Sequence, residues 1–286
     1  MNTQNRTPIA AGLALSAGLF CSSFANTITV CPDGSCDFTD PAEAVSVAAP
    51  GDVIEIAAGI YPLEETVSFS GSEITVRGAV DAYGQPATIL DGQGSILVLG
   101  AVYADQALIE NLVITNGYGE YGGGARFVAS SDVIVRNCHF RGNHANWDGG
   151  GIRLSLDTTL TISNCEITEN TANHPQWPGQ GHGAGVHNSG ATLILEETRV
   201  CGNVGSGSPG EQISGGISFD LGACITTDCD ACVTTHPADI DRDGVVGGQD
   251  LAFLLANWMT SNTTADLNAD GIVSGPDLTA LLAAWD

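Results

Sequence analysis

Short β-branched runs alternate with glycine-rich turns through most of the chain, and they do so at a fixed period. The segment Asn137-Cys138-His139-Phe140-Arg141-Gly142-Asn143, closed by Gly149-Gly150-Gly151-Ile152, recurs as Asn164-Cys165-Glu166-Ile167-Thr168-Glu169-Asn170 with Gly183-Ala184-Gly185-Val186. One copy lies upstream, Asn111-Leu112-Val113-Ile114 with Gly122-Gly123-Gly124-Ala125. Another lies downstream, Thr198-Arg199-Val200-Cys201-Gly202-Asn203 with Gly215-Gly216-Ile217. The copies are offset by 26, 27 and 33 residues. A period of this size marks stacked supersecondary units. Three apolar columns align across the copies: Ile109, Val135, Ile162 and Leu195; Ile114, Phe140, Ile167 and Val200; Ala125, Ile152, Val186 and Ile217. Three strand segments per turn predict an all-β right-handed parallel β-helix, its coils about 4.8 Å apart. Apolar columns stack inside, while Asn, Gly and charged columns take the bends and the outside.

Upstream, the same logic predicts strands at 53–56, 74–77 and 96–99 and a turn at 58–61. Helical spacing over 37–49, opening on Asp40-Pro41, predicts a helix that plugs the first end of the coil. Cys138 and Cys165 share a column with Leu112 and Thr198. They are either an inward ladder of small side chains or a disulfide between neighbouring coils.

The pattern changes at residue 238. Residues 239–250 read Asp-Ile-Asp-Arg-Asp-Gly-Val-Val-Gly-Gly-Gln-Asp, and 266–277 read Asp-Leu-Asn-Ala-Asp-Gly-Ile-Val-Ser-Gly-Pro-Asp. Each places carboxylate or amide oxygens at positions 1, 3 and 5, a glycine at 6 and a carboxylate at 12, which is the spacing of a twelve-residue Ca²⁺ loop. The expected ligands are Asp239, Asp241, Asp243, the Val245 carbonyl and Asp250, then Asp266, Asn268, Asp270, the Ile272 carbonyl and Asp277. Each loop leads into one helical stripe, Leu251, Leu254, Leu255 and Trp258, repeated 27 residues later from Leu278 to Trp285. The two stripes are expected to bury one another.

Composition narrows the partners. The 286 residues carry net charge −25 and no lysine; all eight basic residues are arginines. That balance repels a phosphate backbone, so nucleic acid is excluded as a partner. Residues 1–25, with Arg6, an apolar run over 8–20 and Ser23-Phe24-Ala25, read as a secretory signal peptide. The run is too short for a transmembrane anchor, so the expected location is extracellular, secreted or at the cell surface. Cys21 would fit a lipoprotein signal, but the bulky Phe20 precedes it. Nine cysteines leave eight after processing, an even number in an oxidising compartment. Cys31 and Cys36 flank a turn and are expected to pair. Cys201, Cys224, Cys229 and Cys232 form either two bridges or a zinc site.

Two resemblances carry expectations of function. Phe140-x-x-Asn143 beside Gly149-Gly150-Gly151-Ile152 resembles the repeat of polymorphic outer membrane proteins, which implies an adhesin-like surface role. Residues 42–61, with Ala48-Ala49-Pro50-Gly51-Asp52 and Gly59-Ile60-Tyr61, resemble the first coil of pectate-lyase-like β-helices, which implies a polysaccharide lyase or hydrolase. The duplicated loop–helix, with Asp at position 12 followed by Leu, resembles dockerin type I modules, implying Ca²⁺ and attachment to a cohesin-like or cell-surface partner. It departs from them at positions 10 and 11, which are Gly248-Gln249 and Gly275-Pro276 rather than hydroxyl residues.

No converging acid–base pair is legible, and the catalytic residues are unassigned. Gly181-His182-Gly183 resembles a polygalacturonase motif, without its aspartate pair or Arg-x-Lys. Arg126 and Arg153 share an outward column, followed by His187 and Ser218. One edge stands out just before the Gly-Gly turns: Tyr118 and Tyr121, then Trp147 and Asp148, then His174, Trp177 and His182. Stacked aromatics beside a carboxylate suit sugar rings; the alternative is that the rings only cover loose turns. The expected organisation is a signal peptide (1–25), a β-helix (26–222), a linker (223–237) and a dockerin-like calcium-binding module (238–286). The expected function is a secreted β-helix that binds polysaccharide or another surface ligand, with a calcium-dependent tail.

Overall fold

The computed structural model describes residues 25–71, 73–177, 179–207, 210–232, 238–240, 245–268 and 270–285. Residues 1–24 of the expected signal peptide lie outside the described residues, as do Asp241 and Asp243 of the first acidic loop.

Every pairing between the named strands is parallel, and the strands form stacked sheets that run the length of a parallel β-helix. An eight-stranded sheet holds Thr27–Val30, Val53–Ile56, Thr75–Gly78, Leu108–Glu110, Val133–Arg136, Thr159–Ser163, Thr192–Glu196 and Phe219–Leu221. A seven-stranded sheet runs from Gly59–Pro62 to Cys224–Thr226, and a six-stranded sheet from Val67–Phe69 to Ile213–Ser214. A fourth sheet interrupts the expected three segments per turn. It joins Tyr118–Tyr121, His144–Asp148, Thr171–Ala172 and Val204–Gly205, because the longer bends of these coils are extended enough to pair.

Two apolar columns stack as expected. Ile109, Val135, Ile162 and Leu195 are in register, as are Ile114, Phe140, Ile167 and Val200; all eight are fully buried. The third column ends differently. Val186 faces Ile213, not Ile217, and His187 faces Ser214, not Ser218. Gln212 occupies the place of the glycine: its carbonyl accepts from the Gly185 and Val186 N–H groups. Its side chain turns inward, so Gly215-Gly216 falls beyond the strand. Elsewhere glycine is required here. A Cβ on Gly150 would lie 2.3 Å from the Thr171 carbonyl oxygen, and one on Gly151 2.6 Å from that of Gly185.

Inside the bend runs a ladder of buried amides rather than an outward polar column. The Asn143 Oδ1 accepts from Gly117 N–H at 2.8 Å. Asn170 Oδ1 accepts from both the backbone and the side chain of Asn143, at 3.0 and 2.9 Å. Asn203 does the same for Asn170, and Gln212 Oε1 for Asn203. Each amide also donates to a carbonyl of the coil, Ile114, Phe140 or Ile167. A second set, Asn111, Asn137 and Asn164, adopts left-handed φ of 61°, 48° and 49° at another bend, a conformation asparagine tolerates.

Cys138 and Cys165 are buried, unbridged and in the expected inward ladder. Burial pushes the Cys138 thiol well up, which keeps it inert. Cysteine pairs lock both ends instead: Cys31–Cys36 at the first, Cys201–Cys229 and Cys224–Cys232 at the last. The sheets run past the boundary drawn at 222, since Cys224–Thr226 pairs with Arg199–Cys201. Helix α1, Pro41–Val47, is shorter than 37–49; the Asp40 carboxylate caps it by accepting from Ala42 N–H at 2.7 Å. Ala44 and Val45 seal the first end of the core. The strand expected at 96–99 forms at Leu99–Val102, and residues 59–62 are a strand rather than a turn.

The tail has its own small core of Ala238, Ile240, Val246, Leu254, Ala265, Val273 and Leu281. Helices α2 (Gly248–Ala256) and α3 (Gly275–Ala283) contribute Leu254 and Leu281 to it. Leu251 and Leu278 are partly buried against it, but Leu255, Trp258, Leu282 and Trp285 are exposed. Val246 and Val273, at position 8 of each loop, fill the space the full stripes were expected to share.

Two outcomes follow. Asn170→Ala removes buried partners on both neighbouring coils and should cost about 2–3 kcal/mol; denaturant unfolding that matches wild type would refute the ladder's role. Outside the core, Glu110 lies between Arg77 and Arg136. Burial raises its pKa, but the two guanidiniums outweigh this and leave it lowered. Its contribution is therefore complete above the ordinary carboxylate range and is lost as pH falls through its depressed value. Glu110→Gln should flatten the acid limb of a stability-versus-pH curve relative to wild type.

Candidate functional site

The coil places six of the seven expected edge residues together. Tyr121 and Trp147, from adjacent strands, stack at 6.5 Å with planes 15° apart. Trp147 and Trp177 stack at 5.5 Å and 20°. His174 is wedged between them, 4.2 Å from Trp147 and 4.4 Å from Trp177. His174 is only 9% exposed, and its Nδ1 accepts from the backbone N–H groups of Gln176 and Trp177. It holds the long insertion against the coil, which leaves Trp177 as the outer face at 54% exposure.

Asp148 and His182 sit behind these rings. His182 N–H donates to the Trp147 carbonyl at 3.1 Å, and its ring lies 3.8 Å from the Glu211 carboxylate. Asp148 faces His187 Nδ1 at 3.9 Å. Burial pushes the His187 pKa down, and the Asp148 charge opposes that. Tyr118 stands apart from this group. It stacks on His144 at 5.5 Å, and its hydroxyl accepts from the Asn146 amide at 2.9 Å. Beside it is a recess bordered by Asp91, Asn116 and Gly142.

Arg153, His187 and Glu211 were not among the expected site residues. The glycines explain why the first two belong. Gly122, Gly149 and Gly183 take φ of 77°, 70° and 53°, turning the chain back so that the next strand runs beside the aromatic edge. Arg153 then reaches the Tyr121 ring, 4.7 Å from its centroid. The signal was the shared column of Arg126, Arg153 and His187; its nearness to the aromatics depends on the turn. Gly181-His182-Gly183 proves to be a steric motif, since a Cβ on Gly181 would lie 1.9 Å from the Ala172 carbonyl oxygen.

The second acidic loop gathers its carboxylates. Ligand oxygens of Asp266, Asp270 and Asp277 lie within 4.8 Å of one another. Gly271, at φ 95°, makes the sharp turn, and the Gly271 N–H donates to Asp266 at 2.8 Å. Asn268 donates from its side chain to Asp270 and from its backbone to Asp277. Asp277 is fully buried; burial raises its pKa, but N–H donors from Ser274, Asn268 and Leu267 outweigh this and lower it. Ile272 follows the glycine at position 7. In the first loop, Asp239 and Asp250 are buried, and Asp250 accepts from Gly247 N–H at 2.8 Å, as Asp277 does from Ser274 at 2.7 Å. Val245 takes the same position as Ile272. The three converging carboxylates form an all-oxygen donor set of the kind that suits a hard divalent cation.

Residues 57–228 match the family model described as a right handed beta helix region. Among solved structures, the chain is similar to pectate lyase Pel9A, with 16% identity over 63% of this chain and 54% of that one and a TM-score of 0.45. It is also similar to Escherichia coli YbhC (12% identity, 70% and 59% covered, TM-score 0.43). A third is the pectin methylesterase of Aspergillus niger (13% identity, 71% and 86% covered, TM-score 0.36). The chain thus spans about half the length of the pectate lyase it resembles. No curated protein matches the sequence. With its coils stacked in parallel and the family model covering residues 57–228, the chain belongs to the right-handed β-helix family.

Proposed function

We propose that this chain is an exported β-helix that binds polysaccharide on the Tyr121–Trp147–Trp177 face, with a dockerin-like, calcium-binding tail that attaches it to a partner or surface. The observation that carries the first part is the stack itself. Trp177 lies exposed over Trp147 at 5.5 Å, held by a buried histidine. Exposed aromatic planes cost solubility and are kept where they bind something. Sugar rings present C–H faces that pack on such planes. Three disulfides suit an oxidising, extracellular setting.

For the tail, Asp266, Asn268, Asp270, the Ile272 carbonyl and Asp277 would hold one Ca²⁺, and Asp239, Asp241, Asp243, the Val245 carbonyl and Asp250 a second. The cation would neutralise the clustered carboxylates and tie each loop to its helix. Val246 and Val273 anchor the loops from the core side. The exposed Leu255, Trp258, Leu282 and Trp285 provide an apolar surface for an attachment partner of cohesin-like kind.

A second reading, a polysaccharide lyase or hydrolase, draws on the Asp148–His187 contact beside the same platform. Product formation separates the two: unsaturated or reducing ends released from a uronate and neutral polysaccharide panel would favour the enzyme.

Affinity electrophoresis against that panel tests the platform. Trp147→Ala and Trp177→Ala should each weaken retention about tenfold, on the scale of one lost stacking contact. Unchanged retention on every polysaccharide would remove the platform reading. Calcium is tested by titrating the full chain. Two binding events are expected, and Asp250→Asn and Asp277→Asn should each remove one. At a hundredfold excess over Kd each bound ion stabilises the tail by about 2.7 kcal/mol, so EDTA should lower its melting temperature. An EDTA-insensitive melt would refute the calcium assignment.

A further inference from the structure

One outward column of the six-stranded sheet runs directly beside the aromatic face. Its members are Ser68, Gly100, Arg126, Arg153, His187 and Ser214, each opposite the next. Arg126 and Arg153 therefore stand on adjacent parallel strands, about 4.8 Å apart at the backbone. Like charges placed directly across a sheet destabilise it. The chain has the means to avoid this, with 33 acidic residues against eight basic ones. It does so elsewhere: Arg77 and Arg136 share Glu110, and Arg199 binds Glu166. Among the described residues, neither Arg126 nor Arg153 makes an ion pair.

Arg153 is the more constrained of the two. Its Nε is buried without a hydrogen-bond partner. Its Nη1 reaches Ser155 Oγ only at 3.5 Å, and its guanidinium lies over Tyr121. Burial, and then the Arg126 charge, hold its pKa below the ordinary value; Asp148 works the other way but also faces His187. At the far end of the pair, Gly100 borders a recess of about 470 Å³ whose walls combine the apolar Leu97, Val102 and Val128 with Thr66, Ser68 and Arg126. A Cβ at Gly100 would already stand 3.1 Å from Ser68 Oγ.

We propose that Arg126 and Arg153 bind the anionic groups, carboxylate or sulfate, of an acidic glycan whose rings stack on the Tyr121–Trp147–Trp177 face. This rests on the glycan-binding function proposed above. A guanidinium presents a planar fork of N–H donors that matches either anion in a bidentate way. The serine and threonine hydroxyls beyond Arg126 suit the sugar hydroxyls of the same chain. With net charge −25 the protein repels polyanions at long range, so selectivity for an acidic glycan has to come from a local, uncompensated positive pair of this kind.

The test is affinity electrophoresis of the full chain on matched probes: dextran, carboxymethyl dextran and dextran sulfate, and polygalacturonate with its methyl ester. The charged member of a set should be retained about tenfold more strongly than the neutral one, and the carboxymethyl and sulfate arms distinguish the two anions. Arg126→Gln with Arg153→Gln should abolish that preference, while Arg153→Lys should keep part of it. Trp147→Ala should lower retention on charged and neutral members alike. The double Gln variant should melt at or above the wild-type temperature, because it relieves repulsion; a lower midpoint would make the pair structural and overturn the proposal. Equal retention of charged and neutral members, or a preference that survives the double variant, would overturn it and leave the platform standing. No retention on any probe would overturn both.

Discussion

Each coil must hand its register to the next, and the buried amide ladder is the interaction that does so most sharply. Backbone pairing between parallel strands is indifferent to sequence, so a coil could slip along its neighbour. The amide of Asn143 cannot slip: one oxygen meets Gly117 N–H, and the nitrogen meets both Ile114 and Asn170. Repeated at Asn170, Asn203 and Gln212, these contacts fix the coils to within a hydrogen-bond length. A one-residue slip would leave several buried polar groups without partners and turn the apolar columns outward, at a cost of a few kcal/mol per coil. The apolar columns supply most of the stabilisation, but any well-filled core would do that. The ladder supplies uniqueness.

Fixed register is also what makes the outer surface chemically useful. Parallel coils repeat a surface position every few ångströms along the axis, so residues far apart in sequence become neighbours at a set spacing. Tyr121, Trp147 and Trp177 form a stack in this way, as do Arg126 and Arg153. The glycine turn lets the aromatic edge and the cationic column stand side by side. At Gly149 the backbone turns at φ 70° with its virtual Cβ only 2.4 Å from the Ile152 carbonyl oxygen. A larger residue there would push the two surfaces apart.

Much of the coil was legible because its signals are periodic. Phe140 and Ile167 stand in the predicted column since inward positions tolerate only apolar residues of similar size. Ile217 misled because its Gly-Gly neighbour mimics the repeat, while Gln212 satisfies the ladder with a residue of different type. The fourth sheet was not legible: Thr171–Ala172 has no apolar alternation, and its pairing follows from where the bend places it. The aromatic edge could be collected from sequence as a set. That His174 is a buried strut and Trp177 the exposed surface could not, because the difference lies in hydrogen bonds to Gln176 and Trp177. In the tail, the loop spacing was clear, but the partition of each helical stripe was not, since Val246 and Val273 compete for the same core.

Charge is distributed with a logic that joins both halves of the molecule. Where the coil needs a charge for itself, it neutralises it: Glu55, Arg77, Glu110 and Arg136 alternate in sign down one column. Two clusters of like charge among the described residues depart from that pattern. In the tail, Asp266, Asp270 and Asp277 converge with backbone N–H groups as their compensation. On the coil, Arg126 and Arg153 meet with a tyrosine ring and a serine hydroxyl near them. Each arrangement opposes folding, because like charges are brought together from an unfolded chain in which they were apart. A sequence with ample acidic residues to neutralise the arginines, and with only eight basic residues spread over the whole chain, keeps both clusters nonetheless. The two are opposite in sign and lie in separate modules, so they cannot be a single error of composition. On the two proposals made above, they are the positions where the balancing charge would come from outside the chain, a cation at one and an anion at the other.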